Sequence, residues 1–211
     1  MPRIADHDAR RRQVAAAVAD LVASDGLDGV TVARTAATAG ISVGLVQHYF
    51  KSKDDMLLFA FTHVRDRIDA RVAEGVAAGV RSGARIEHVL LDALGELLPL
   101  DERRHRECRV TLAFAGRTVD NPRLAEALNA GAEGVRARLA EAIHNGKECG
   151  EVPVETDDRL EAVRLLSLVD GLALHAFTGP GSVSPDAARA ALARHLGTLF
   201  PGPCHHPRPA K

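Results

Sequence analysis

Thr31, Ser42 and Ser52 stand about ten residues apart, and Gly40 falls between the first two. A hydroxyl at the residue before a helix accepts a hydrogen bond from the first turn, and a glycine just past a helix end takes up the left-handed conformation that stops it. Thr31 therefore predicts a short helix over Val32–Ala39 closed by Gly40, and Ser42 a second over Val43–Tyr49. Ser52 opens a third, with Asp55 three residues on, where an acid suits the helix dipole. Two short helices joined by a tight turn are a helix-turn-helix, and no other stretch of the chain restricts its fold as much.

The rest of the sequence reads as helix too. Residues 9–24 carry Val14, Ala17, Val18, Leu21 and Val22 at helical spacing, with Asp6 or Asp8 as a possible cap and Gly26 at the end. Residues 54–80 have few breakers apart from Gly75 and Gly79, enough for a helix of roughly 35–40 Å. Further helices are expected over 85–98, stopped by Pro99, over 102–118, and from Pro122 to about residue 145. Residues 144–154 (HNGKECGEVPV) read as a loop. Two last helices, 156–178 and 184–200, flank Gly179-Pro180-Gly181.

Ala, Leu, Val and Arg dominate while Thr and Ile are sparse, which favours helices over strands. With six Phe, one Tyr and no Trp, the core has to be packed mainly by aliphatic side chains. The expected architecture is all-α, about nine helices. A three-helix head with the helix-turn-helix occupies residues 8–68, a larger helical body for ligand binding and dimerisation occupies 69–200, and a Pro-rich tail over 201–211 is expected to be disordered.

No run of about 18 apolar residues is present, so no membrane span is expected. The opening MPRIADHDARRR lacks an apolar segment of the secretory kind. Three widely spaced cysteines, Cys108, Cys149 and Cys204, form no CxxC pair and read as neither a disulfide framework nor a zinc site, so the expected compartment is the cytoplasm. The net charge of −1 argues mildly against a nucleic-acid partner unless basic charge is local. It is: residues 31–53 contain no acid, while Arg34, Lys51 and Lys53 give +3, and Arg10, Arg11 and Arg12 lie just upstream.

The segment ISVGLVQHYFKSK supplies what a groove-reading helix needs. Gly44 allows close backbone approach, and Gln47 can bond an adenine edge in bidentate fashion. Val43 and the Ser42 hydroxyl suit a thymine methyl or a phosphate, and His48 can donate to either base or phosphate. Tyr49, Lys53 and Thr31 are placed for phosphate oxygens. Val32, Ala36, Ala39, Ile41, Leu45 and Phe50 form the small core beneath. From the residues alone a capped helical hairpin inside a bundle stays open as an alternative.

The run VTVARTAATAGISVGLVQHYFKSKDDMLLFA resembles the N-terminal domain signature of TetR-family regulators in its glycine, its paired Tyr-Phe and its Ser-Lys-acid-acid opening of the long helix. The resemblance covers about the first 68 residues. It implies that Thr31 and Lys53 hold phosphates while Val43, Gly44, Gln47 and His48 lie over bases. Ala33 stands where many relatives carry a basic or polar residue, with Arg34 beside it as the substitute.

The passages ECRVTLAFAGRTVDNPRL and LLSLVDGLALHAFTGPGSVSP are similar to the BetI-type subgroup of that family. That resemblance implies a homodimer whose last two helices form a four-helix interface. Leu165, Leu168 and Leu172 are the candidate contacts on one helix, and Leu192, Leu196 and Leu199 on the other. Apolar patterning alone is equally consistent with a monomeric bundle core, but one short recognition helix binds too few bases for useful specificity. An effector pocket is expected between residues 86 and 177, with His88, Leu91, His105, Arg109, Leu112, Phe114, Leu139, His175 and Phe177 as candidates.

Cys204-His205-His206 offers three potential ligands in the tail with no fourth nearby, and is set aside. His105 and Cys108, three apart, form a weaker soft-metal pair. No cofactor is implied, and no GxSxG, P-loop, GxGxxG or HExxH motif occurs, so an enzyme is not expected. The expected function is a DNA-binding transcriptional regulator, a repressor released from a palindromic double-stranded operator by a small-molecule effector. Control by a protein partner or by a metal is the alternative.

Overall fold

The computed structural model describes residues 2–204, with the backbone alone for residues 2–8. Among the described residues there are nine α-helices and no strand. In chain order they are α1 (Pro2–Asp25), α2 (Val32–Ala39), α3 (Val43–Tyr49), α4 (Lys53–Ser82) and α5 (Ile86–Gly95). Then follow α6 (Glu102–Arg117), α7 (Pro122–Glu148), α8 (Asp158–Thr178) and α9 (Pro185–Leu199). No described helix is long and apolar enough to cross a membrane.

The chain forms two compact units. One comprises the chain up to Arg67 together with Arg106–Leu128; the other comprises Ile68–His105 and the chain from Asn129 onward. α4, α6 and α7 thus each give one part of their length to either unit. Sequence patterning allots 106–128 to the body, because nothing in α6 itself announces that its residues from Arg106 onward belong with the head.

In the first unit the apolar face of α1 is buried along its length at Val14, Ala17, Val18, Leu21 and Val22. It packs with Ala36 and Ala39 of α2, Val46 of α3, Phe50, and Met56, Leu57, Ala60, Phe61 and Val64 of α4. α6 closes this core: the Phe61 and Phe114 rings stack in parallel, 4.0 Å between centroids. Around the stack, Arg106 pairs with Asp20 at 2.8 Å. Arg109 donates to the Ala23 and Ser24 carbonyls at 2.9 and 3.4 Å, which satisfies acceptors that the end of α1 leaves unpaired.

The second unit is built on Leu90, Leu94, Leu98, Leu139, Ile143, Leu165, Val169, Leu192, Leu196 and Phe200, all buried. Its α4 segment approaches α5 closely: a Cβ on Gly79 would lie 2.5 Å from Val89 Cγ2. Leu196 and Leu199 of α9 and the Phe200 ring beyond it fill the centre.

Three elements differ from the sequence expectation. α1 already runs from Pro2, whose fixed φ suits a first turn, so Asp6 and Asp8 lie within the helix and not ahead of it. α7 continues to Glu148 through Gly146. That glycine is a packing position, not a loop signal, since a Cβ there would meet Val152 Cγ2 at 2.7 Å and Phe200 Cε1 at 2.9 Å. The start of the tail is also held: Gly202 N donates to the Glu151 carbonyl at 3.0 Å, and Arg85 Nη2 donates to the carbonyls of Phe200 and Gly202 at 3.0 and 2.9 Å. The expectation of a disordered tail therefore fails for residues 201–204, and residues 205–211 lie outside the described residues.

Candidate nucleic-acid interface

The caps form as the residue types require. Thr31 Oγ1 accepts from Arg34 N and Ser42 Oγ from Leu45 N, both at 3.2 Å. Between them Gly40 sits at φ 65°; its N–H and that of Ile41 bond back to the Ala37 and Ala36 carbonyls at 3.2 and 3.0 Å. This left-handed glycine turns the chain sharply enough to set α3 across α2. At the start of α4, Ser52 Oγ accepts from Asp55 N at 3.0 Å while Asp55 Oδ2 accepts from Lys51 N at 3.2 Å. That reciprocal box fixes the exit of α3.

α3 has two faces. Val46 and the following Phe50 are buried. Gly44, Gln47 and His48 are exposed, and Val43 is 44% exposed. Positions i, i+1, i+4 and i+5 share one side of a helix, so these four side chains form a continuous outward strip. Tyr49 is half-buried, its ring edge-on to His48 at 5.2 Å. Thr31, Ser42, Lys51 and Lys53 are exposed at the margins.

The charge around the strip differs in detail from a simple count of +3. Arg34 is bonded to Asp25 of α1, and that bond holds the Asp25 carboxyl below its usual range. The positive charge of the run therefore rests chiefly on Lys51 and Lys53. The acids that follow are engaged elsewhere in the same unit. Asp54 accepts from Arg117 at 3.1 Å and from Asn121 Nδ2 at 2.7 Å, and Asp55 pairs with Arg123 at 2.6 Å. The Arg123 bond holds the Asp55 carboxyl below its usual range. Upstream, the Arg11 guanidinium lies over the Phe59 ring at 3.9 Å, so this arginine acts in packing.

The nine pocket candidates are divided between the two units. Arg109, Leu112 and Phe114 belong to the first unit; Arg109 is taken up by the end of α1 and Phe114 by Phe61. In the second unit Leu139 is core, Leu91 is half-buried and His175 exposed. The His105 ring stacks on Phe177 at 4.6 Å. Of the nine, only His88 lines the cavity of about 550 Å³ between α4 and α5. Arg71, Gly75, Gly79, Asp92 and Glu96 line it as well. The signal available for it was the i, i+4 pair Gly75 and Gly79, which reads as a helix weakness and in fact opens a groove.

The dimer candidates divide between buried and half-buried positions. Leu165, Leu192, Leu196 and Leu199 are buried within their own unit, and Leu168 and Leu172 are half-buried. The apolar surface left on α8 is carried by Leu160, Val163 and Leu174, which are 54%, 47% and 44% exposed. Ser167 and Gly171 fall on the same stripe. Of the soft-metal pair, Cys108 is buried and desolvation pushes its thiol up to about 12, while His105 is engaged by Phe177. His205 and His206 lie outside the described residues.

Comparison with known proteins agrees with this arrangement. Residues 14–59 match the family described as bacterial regulatory proteins, tetR family. Residues 86–201 match the BetI-type transcriptional repressor C-terminal family. The chain is 29% identical over 199 residues to the HTH-type transcriptional regulator PksA of Bacillus subtilis, covering 94% of each chain. It is 27% identical to the regulator BetI 1 of Chromohalobacter salexigens, over 90% of this chain and 89% of that one. Among solved structures, a transcriptional regulator from Rhodococcus sp. Rha1 superposes with a TM-score of 0.78 at 35% identity, over 90% of this chain and 96% of that one. A regulator from Saccharomonospora viridis, solved in complex with choline, gives 0.74 at 26% identity over 90% and 95%. A capped helix-turn-helix with an outward strip, followed by a BetI-type helical body, places this chain in the TetR family of bacterial transcriptional regulators.

Proposed function

We propose that the protein is a cytoplasmic homodimeric repressor that sets the Val43–Gly44–Gln47–His48 strip of α3 in the major groove and leaves its operator when a small molecule occupies the body. The observation that carries this reading is the strip itself. Its four residues are exposed together on one side of a helix whose other side is buried. Gly44 permits close approach, Val43 meets a thymine methyl, and Gln47 bonds an adenine edge. Thr31, Ser42, Tyr49 and Lys53 take phosphates around it. Arg34 joins them only by exchanging Asp25 for a phosphate.

Two-fold recognition requires a second copy, and the Leu160–Val163–Leu174 stripe of α8 is where it docks. Ser167 and Gly171 on that stripe let a partner helix approach closely. The effector site is the α4–α5 cleft, whose 550 Å³ suits a small metabolite. Its lining contains no Phe, Tyr or Trp, so it is not an aromatic cage for a quaternary ammonium ion such as the choline of the S. viridis protein. α4 lines the cleft and also contributes to the first unit, which gives the ligand a covalent route to the DNA-reading helices. Binding favours a state with mismatched head spacing, and operator affinity falls.

Selection of bound duplexes from a random pool, followed by competition with metabolites, tests this. A palindromic consensus whose complex one class of metabolite dissociates is the expected result. An asymmetric or absent consensus would overturn it.

A further inference from the structure

We infer that Cys149, Glu151 and Cys204 form a binding site for one zinc-like divalent ion at the point where the chain end meets the body. The two thiols and the carboxylate are far apart or unremarkable in sequence, yet their ligand atoms all lie within 4.8 Å of one another. In a tetrahedral site with Zn–S bonds of about 2.3 Å, neighbouring ligand atoms stand roughly 3.5–3.8 Å apart. A contraction of about one ångström closes the cluster.

The position of Cys204 is imposed by its surroundings. Two residues earlier Gly202 presses on the turn after α7, where a Cβ on it would lie 2.0 Å from the Gly150 carbonyl oxygen. Gly202 N bonds to the Glu151 carbonyl at 3.0 Å, and Arg85 holds the carbonyls on either side of Pro201. Cys149 and Glu151 are buried whereas Cys204 is exposed. The pocket therefore has a wall of two fixed ligands and an open side through which an ion and a water ligand enter.

The ligand set fits a borderline-soft cation. Cys149 Sγ lies 3.7 Å from Glu151 Oε1. That carboxylate is oriented by the Ile86 amide at 3.2 Å and by Arg85 at 3.6 Å, the outer contacts that a ligating carboxylate commonly has. Binding converts two thiols to thiolates and releases two protons. The ion, two thiolates and a carboxylate then sum to −1, beside the Arg85 guanidinium, which Glu151 shares with Glu87. The site is independent of the DNA-reading assignment, since every residue in it belongs to the second unit.

The test uses the full chain, reduced and stripped of metal. Cobalt should bind at one equivalent with a sulfur-to-metal charge-transfer band and the strong visible bands of a tetrahedral site. Zinc should displace it and raise Tm. Cys204→Ser, a change at an exposed position, should weaken zinc binding at least about tenfold and abolish the charge-transfer band characteristic of two thiolates, with the helical content unchanged. Three results would each overturn the assignment. They are no metal uptake by the reduced protein, equal zinc affinity in C204S, and closure of a Cys149–Cys204 disulfide on mild oxidation by a protein that ignores zinc.

Discussion

Arg117 donates from Nε and Nη2 to the two carboxylate oxygens of Asp54, at 3.1 and 3.4 Å. The pair joins the end of α6 to the first turn of α4, one residue beyond Lys53. Together with Asn121 it holds a carboxylate that would otherwise lie free beside Lys53, the residue proposed above to take a phosphate. Arg117→Ala should lower affinity for specific and nonspecific DNA alike by about 2–5-fold at low salt, an effect that fades as salt rises. Adding Asp54→Asn to it should restore most of the loss, and binding isotherms at two salt concentrations check both.

Gln47→Ala removes the side chain best suited to a bidentate base contact. Discrimination for the selected operator should fall by about 1–3 kcal/mol while nonspecific binding hardly changes. If competition against scrambled duplex gave the wild-type ratio, base reading would have to be moved elsewhere on α3.

Lys53→Ala should behave differently. Affinity should drop on every sequence, and the slope of log K against log salt should flatten by about one phosphate. A slope equal to that of the wild type would remove Lys53 from the backbone contacts.

Neighbouring positions on α8 separate dimerisation from folding. Val163→Asp, on the exposed stripe, should yield a folded monomer by sedimentation at micromolar concentration and lose operator binding. Leu165→Ala, fully buried, should instead cost about 2–5 kcal/mol of stability in denaturant unfolding. A dimer in Val163→Asp would place the interface on another surface.

Glu96 gathers three arginines: Arg71 at 2.6 Å, Arg103 at 3.0 Å and Arg104 at 3.4 Å. Burial pushes its carboxyl up, but the Arg103 and Arg71 guanidiniums more than offset this and hold it below its ordinary 4.5. The unfolded chain therefore takes up the proton first. The stabilisation is fully present above about pH 4.5 and is lost as pH falls through the lowered folded value. Glu96→Gln should remove that part of the acid-side slope and cost about 1–3 kcal/mol near neutral pH, read from urea melts across the acid range.

Local chemistry made the head legible. Hydroxyl caps and a left-handed glycine act within four residues, so α2 and α3 were placed at their observed ends from sequence. What sequence could not show depends on distant partners. Arg109 reads as a polar lining residue until the open carbonyls of α1 are brought beside it. Leu165 and Leu196 read as interface because an apolar stripe looks the same whether the core or a twin covers it. Gly146 reads as a loop because only the fold shows the Phe200 ring lying on its bare surface. Cys204 reads only as part of the Cys204-His205-His206 run in the tail because Gly202 has first to fold the chain back onto Gly150.

That fold-back has a consequence for biosynthesis. Residues up to Leu128 complete the first unit, so it can assemble while translation continues. The second unit cannot finish then. Glu151 reaches the amides at the start of α5 long after α5 has been made, and the two carbonyls that Arg85 needs come at residues 200 and 202. Its last bonds close only once residues 200–202 have been made, well after the last residue of the first unit, so the unit that carries the helix-turn-helix has all its residues first.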